Sequence, residues 1–144
     1  MQATTHQSPD QEAIATERHL AEEYFRNFNQ NQFDQTAALF AEDGELIPPF
    51  DSPLIGKQAI LAYLEKEAGD ITAYPKQWEI KDLEDNRRQI NVTGKVNAIV
   101  FKVNVAWHFI INANSKTDAP KIERVRVKLL ASPKELLGLR SAAS

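Results

Sequence analysis

The chain has 144 residues, 42% hydrophobic and 26% charged, which is the usual composition of one globular domain. Its net charge of −3 provides no general basic field for nucleic acid, and the lack of cysteine excludes disulfides and thiolate chemistry. Without a signal-peptide pattern or an apolar run of about 18 residues, the expected location is the cytoplasm. We expect residues 1–12 to be a disordered lead and residues 13–144 to form a single domain.

Helical patterns occupy the N-terminal half. Ser8, Pro9 and Gln11 form a helix-start signal at the end of the lead, and the helix is predicted to run to about Asn29. A short second helix is predicted over residues 33–41, and a third over residues 57–68, where Gly69 ends it. The first helix carries an apolar stripe of Ile14, Ala21, Phe25 and Phe28, with Leu20 and Tyr24 beside it.

Strand patterns dominate the C-terminal half. After a brief strand at 45–47, which follows a turn at residues 43–44, strands are predicted at 77–83, 89–100, 103–111 and 121–130, and a final helical turn at 134–139. Helices followed by an antiparallel meander predict an α+β fold, with helices on one face of a curved, mostly antiparallel sheet. Such a sheet encloses a cone-like cavity, which is the expected ligand site.

The strand at 103–111 has the clearest pattern. Its alternate residues are Val103, Val105, Trp107, Phe109 and Ile111, which places all five on one face. Their ordinary role is core packing. A buried indole N–H also needs a hydrogen-bond acceptor, as does the hydroxyl of Tyr24, so both donors could instead point into an apolar cavity.

Other chemistry is weakly indicated. The three histidines are not clustered: His6 lies in the lead, His19 is predicted to face solvent, and His108 points away from the cavity. Among the inward strand positions only Glu123 is ionisable, although a loop residue such as Asp51 could reach in. Arg124, Arg126 and Lys128 form a cationic row, either an exposed outer face or a patch for an acidic partner or a second subunit.

Several sequence runs, in order, resemble a known family. After Tyr24 they are NQNQFD (29–34), LF (39–40), DG (43–44), PPF (48–50), PLIGK (53–57), VTGKV (92–96), NVAW (104–107) and LLASPKELL (129–137). Over about residues 14–140 the chain resembles the C-terminal domain of the cyanobacterial orange carotenoid protein family, which has a nuclear transport factor 2-like fold.

This resemblance implies a ketocarotenoid of the echinenone or canthaxanthin type, whose carbonyl accepts hydrogen bonds from Tyr24 and Trp107. The apolar residues that would wall its ring are Ile71, Val105, Phe109, Val127 and Leu129. The resemblance also implies a free-standing carrier that acts as a homodimer sharing one carotenoid. A helical carotenoid protein or a membrane would be its donor or acceptor, and its role would include carotenoid transfer and photoprotective quenching.

The chain departs from that family at two places. Val100 or a neighbour stands where the family tends to have a tryptophan at the cavity mouth, and the cationic row makes the outer face more basic. Glu67 matches an acidic residue that contacts the family's helical domain. We expect a binding protein that is not an enzyme; the alternatives are an isomerase, dehydratase or cyclase of the same fold acting on a hydrophobic substrate, or a plain dimerisation module.

Overall fold

The computed structural model describes residues 9–99, 102–112 and 120–130. The helices in these ranges are α1 (Pro9–Asn29), α2 (Phe33–Ala38) and α3 (Lys57–Glu67). The strands are β1 (Phe40–Ile47), β2 (Leu54–Ile55), β3 (Thr72–Asp82), β4 (Arg87–Asn97), β5 (Lys102–Asn112) and β6 (Lys121–Leu129). The predicted extents of the first and third helices are confirmed to within one residue at each end. In the described part of the chain, no helix has both the length and the apolar character that crossing a membrane requires.

The described strands form one six-stranded sheet in the order β2-β1-β6-β5-β4-β3. Strands β3 to β6 make the predicted antiparallel meander, whereas β1 pairs with β6 in parallel. The helices pack on one face, where Tyr24 and Phe25 of α1 meet Phe109 of β5. The predicted α+β class, with helices on one side of a mostly antiparallel sheet, is therefore confirmed.

The second helix ends earlier than predicted. Helix α2 ends at Ala38, and β1 begins at Phe40, which is fully buried and pairs with Ile122 of β6. Gly44 lies within β1, at an irregularity in its pairing with β6, and does not make the predicted turn. Burial of the Phe40 ring and long-range pairing outweigh local helix propensity here, so the prediction for residues 39–41 was wrong.

Strand β3 begins five residues before its predicted start. The Asn29 side chain at the end of α1 bonds both backbone groups of Ala73, accepting from the N–H and donating to the carbonyl oxygen at 2.8 Å each. Pro75 is tolerated because β3 is an edge strand and its pairing shifts at this point. Opposite, Gly94 leaves room for the β3 backbone, since a Cβ there would collide with the Tyr74 carbonyl oxygen.

A β-bulge changes which face of β6 carries Glu123. Ile110 pairs with Arg124 but Ile111 pairs with Ile122, so the register shifts by one residue between them. Ile122 is therefore fully buried, and Glu123 lies with an oxygen 3.0 Å from Nε of Arg87. The prediction that Glu123 faces inward was wrong, because strict alternation does not pass through a bulge.

Some predictions fall outside the described residues. These are residues 1–8 of the lead, with His6, the position of Val100 and the helical turn at 134–139. Residues 9–12, which were expected to belong to the disordered lead, lie in α1 instead.

Candidate ligand-binding site

A cavity of about 220 Å³ opens between α1, α3 and one end of the sheet. The sheet contributes apolar side chains to its wall, among them Val96, Val103, Val105, Val127 and Leu129. The loop 48–53 between β1 and β2 closes one side with Pro48, Pro49 and Phe50. This end of the sheet is where β4 ends and β5 begins, so the cavity lies inside the curve that sequence reasoning expected to hold a ligand.

The structure brings most of the predicted site residues to this cavity. Those that line it are Tyr24, Ile71, Val105, Trp107, Val127 and Leu129. Phe109 does not line it: its fully buried ring lies behind, with its centroid 5.2 Å from that of Tyr24 and 5.7 Å from that of Phe25. Alternation along β5 correctly predicts that Phe109 lies on the inner face of the sheet. It does not predict that α1 covers Phe109 and separates it from the cavity.

Tyr24 and Trp107 are held by the same aromatic cluster. Both rings meet Phe25 edge to face, at centroid distances of 5.4 Å for Tyr24 and 4.8 Å for Trp107. Both side chains are almost fully buried, yet both line the cavity. Within the described ranges no protein group accepts a hydrogen bond from the Tyr24 hydroxyl or the Trp107 indole N–H. Two donors that reach the cavity therefore have no acceptor among the described residues.

The protonation of Tyr24 suits a donor. Burial raises the pKa of its hydroxyl far above the ordinary value of 10, and the neighbouring Tyr63 adds to the rise. The hydroxyl therefore keeps its proton at physiological pH. It is available to a ligand as a neutral hydrogen-bond donor.

The rim of the cavity is more polar. The Tyr63 hydroxyl of α3 donates a hydrogen bond to an Asp51 carboxylate oxygen at 3.3 Å, and Glu67 lies one turn further along α3. Burial, together with the nearby Asp51 and Glu67, raises the pKa of Tyr63. Sequence reasoning missed Tyr63, although its place beside Ile60 and Leu64 on α3 is a signal that it turns inward. Asp51, considered as a residue that could reach in, is exposed at the rim.

A buried carboxylate lies away from the cavity, nearer the other end of the sheet. Glu17 of α1 is 1% exposed and forms an ion pair with Arg88 of β4, which also pairs with Asp82 of β3. Burial raises the pKa of Glu17, and the charge of Arg88 partly offsets the rise. Glu17 lies four and seven residues before Ala21 and Tyr24, which places it on the buried stripe of α1. It does not line the cavity.

The outer face of the sheet carries the remaining candidates. Nδ1 of His108 lies 2.6 Å from the Asn91 side-chain oxygen, and Arg124 contacts Glu45 at 3.1 Å. Arg126 and Lys128 are exposed, as predicted for that row. The predicted orientations of His19 and His108 are also confirmed. In the ranges the structure describes, no group of three or more His, Asp or Glu side chains is arranged to hold a metal ion.

The fold and the cavity agree with a domain family found by comparison. A profile of the nuclear transport factor 2 (NTF2) domain matches residues 16–119. The chain belongs to the NTF2 domain family. The described helices of this NTF2 domain pack on one face of a curved sheet.

Three relatives define the likeness further. The chain is 40% identical over 121 residues to an orange carotenoid-binding protein of Limnospira maxima, covering 81% of this chain and 37% of that protein. A structure of the Anabaena (Nostoc) orange carotenoid protein binding canthaxanthin has a TM-score of 0.70 and 38% identity, covering 83% of this chain and 38% of that one. The chain thus spans little more than a third of these relatives, and the predicted resemblance to a domain of the orange carotenoid protein is confirmed.

The third relative is similar in fold alone. A ketosteroid isomerase-like protein from Erwinia carotovora has a TM-score of 0.67 at 16% identity, covering 82% of this chain and 96% of that one. The same fold therefore occurs in proteins named for other chemistries, and it does not by itself indicate a function.

Proposed function

We propose that this NTF2 domain is a carotenoid-binding protein, and not an enzyme, that carries or transfers a ketocarotenoid in the cytoplasm and acts in photoprotection. The observation that supports this most strongly is the pair of donors, Tyr24 and Trp107, which have no acceptor among the described residues and line a mostly apolar cavity. A carbonyl oxygen has two lone pairs and accepts both hydrogen bonds. A ketocarotenoid ring of the echinenone or canthaxanthin type provides that carbonyl on an apolar body.

The wall of the cavity suits the ring. Ile71, Val105, Val127 and Leu129 would contact its methyl-substituted carbons, while the carbonyl reaches the two donors. Phe109 would act from behind, by supporting the Tyr24 ring at 5.2 Å. A donor that a ligand buries without a partner costs about 1–3 kcal/mol. A hydrocarbon ring would leave both donors without an acceptor, whereas the carbonyl of a keto ring accepts from both, so the site favours a keto ring.

The size of the cavity suits one end of a long ligand. Pockets that enclose a whole drug-sized molecule measure about 300–1,000 Å³, more than the 220 Å³ found here. The polyene would therefore extend through the mouth, and its apolar surface in water costs about 25 cal/mol per Å². We propose that a second copy of the chain covers the other end, so that a homodimer shares one carotenoid. A helical carotenoid protein or a membrane would supply or receive it.

The test is to produce the chain in cells that make canthaxanthin and to record the spectrum of the purified protein. We expect a bound pigment with a visible band. Tyr24→Phe and Trp107→Phe should each blue-shift that band and raise the dissociation constant about 2- to 12-fold, the equivalent of one hydrogen bond of about 0.5–1.5 kcal/mol.

A matched control removes a hydroxyl elsewhere. Tyr74→Phe deletes an exposed hydroxyl that does not line the cavity, and it should leave the band in place. A wild-type protein that purifies without colour would contradict carotenoid binding. A band unmoved by the double variant Tyr24→Phe/Trp107→Phe would show that the carbonyl binds elsewhere.

A further inference from the structure

The loop 48–53 forms one lip of the cavity mouth. Its Phe50 lines the cavity while remaining 46% exposed, so the ring covers the entrance from the solvent side. Three of the six loop residues are the prolines Pro48, Pro49 and Pro53. Proline fixes φ and has no N–H to donate, so these three residues cannot hold the loop in place through backbone N–H groups.

A hydrogen bond joins this lip to the opposite wall. The Tyr63 hydroxyl of α3 donates to the Asp51 carboxylate at 3.3 Å, and Asp51 directly follows Phe50. The Tyr63 ring lines the same cavity. One side chain thus forms part of the wall and also fixes the residue next to the Phe50 ring.

The surroundings of Tyr63 keep its hydroxyl protonated. Its pKa is raised by burial first, and then by the carboxylates of Asp51 and Glu67. The Tyr63 hydroxyl therefore keeps its proton over the physiological pH range and remains the donor of the bond to Asp51.

We propose that Tyr63 is a positioning residue of the ligand site: through Asp51 it holds Phe50 over the cavity mouth and thereby slows the departure of a bound ligand. This inference rests on the proposed function and adds a determinant of residence time. The pair Tyr24 and Trp107 contacts the carbonyl and sets the colour, whereas the Tyr63–Asp51 bond acts on the exit.

The experiment measures release of canthaxanthin from the loaded chain into phosphatidylcholine vesicles. Tyr63→Phe and Asp51→Ala should each raise the release rate about 2- to 12-fold, the equivalent of one lost hydrogen bond, with the visible band unmoved. Asp51→Asn keeps an acceptor oxygen and should release near the wild-type rate. The double variant Tyr63→Phe/Asp51→Ala should be no faster than the faster single variant, because both remove the same bond.

Controls and a pigment-free measurement complete the design. Tyr74→Phe removes an exposed hydroxyl on β3 and should leave release unchanged. In pigment-free protein, chymotrypsin should cut after Phe50 faster in Tyr63→Phe than in wild type. If Tyr63→Phe does not fold, the exposed substitution Asp51→Ala makes the same comparison.

The outcomes separate the two proposals. Normal loading with unchanged release rates, additive effects in the double variant, or equal cleavage after Phe50 would each overturn the role of Tyr63 and leave carotenoid binding standing. A wild-type chain that takes up no canthaxanthin would overturn the proposed function and the Tyr63 inference with it.

Discussion

The aromatic residues near the cavity have two different positions: some pack behind its wall and others reach its surface. Phe25 and Phe109 have no polar atoms and fill the space behind the cavity, whereas Tyr24 and Trp107 pack against them and keep a polar hydrogen at the cavity surface. Replacing either donor by Phe retains most of the packing and removes the donor. Tyr24→Phe therefore tests binding with little cost to folding, whereas Trp107→Phe also removes part of a buried ring.

His108 provides a prediction at the same scale. Its pKa is lowered from 6.5, first by burial and then by Lys128 and Arg126, so the folded chain binds this proton less readily than the unfolded chain does. Its contribution to stability is present above pH 6.5 and is lost as the pH falls. Relative to His108→Gln, the wild-type free energy of unfolding should therefore fall between pH 8 and pH 5.

Urea denaturation of both proteins across that range measures the difference. His19→Gln is the matched control, since that imidazole is exposed on α1. A constant difference between wild type and His108→Gln would contradict the assignment.

Helix α1 carries both a residue of a buried ion pair and a residue of the cavity wall. It carries Glu17, paired with Arg88 of β4, and two turns later Tyr24 in the cavity wall. Asn29 at its end pairs with the backbone of Ala73. The position of the Tyr24 donor therefore depends on polar contacts on both sides of it along α1, at Glu17 and at Asn29.

The ion pair of α1 gives the prediction at the element scale. Arg88→Met would leave Glu17 buried without its cation and should cost about 3–5 kcal/mol of unfolding free energy near pH 7. Because the pKa of Glu17 is already raised by burial, and loss of Arg88 raises it further, the cost should shrink as the pH falls towards 4.5 and the carboxyl is protonated.

Arg87→Met is the matched control on the neighbouring residue. Arg87 is half exposed and pairs with Glu123, so its loss should cost no more than about 1 kcal/mol. Equal losses for the two variants, or a cost for Arg88→Met that does not depend on pH, would contradict the role of the buried pair.

The whole molecule has two different ends. The cavity with its apolar wall opens at one end of the sheet, while the Glu17–Arg88 and Arg87–Glu123 ion pairs lie at the other. A ligand longer than the cavity would extend through the mouth. A second subunit that removes the polyene from water would therefore face that mouth.

The proposed dimer predicts a change of mass on loading. Light scattering with size-exclusion chromatography should give a dimer for the canthaxanthin-loaded chain, with one pigment for two chains by absorbance. Phosphatidylcholine vesicles that remove the pigment should lower the dimer fraction, because the shared apolar rod is gone. A loaded monomer with one pigment for each chain would refute the sharing of one carotenoid.

The sequence by itself determined what local physics controls. Helix-start residues and the Asn29 end define α1, and period-two alternation identifies the inner face of β5 with Val105 and Trp107, because both patterns depend on neighbours in the chain. Ordered sequence runs also identified the family. These signals were sufficient for the fold class and for part of the cavity wall.

Only the tertiary structure decided the rest. Phe40 joins a strand because β6 pairs with it, Glu123 turns outward because a bulge shifts the register, and Phe109 lies behind the cavity because α1 covers it. The ion pair of Glu17 with Arg88 joins α1 to β4, and the hydrogen bond from Tyr63 to Asp51 joins α3 to the loop before β2. Such contacts depend on how the elements pack, and no local period of the sequence encodes that packing.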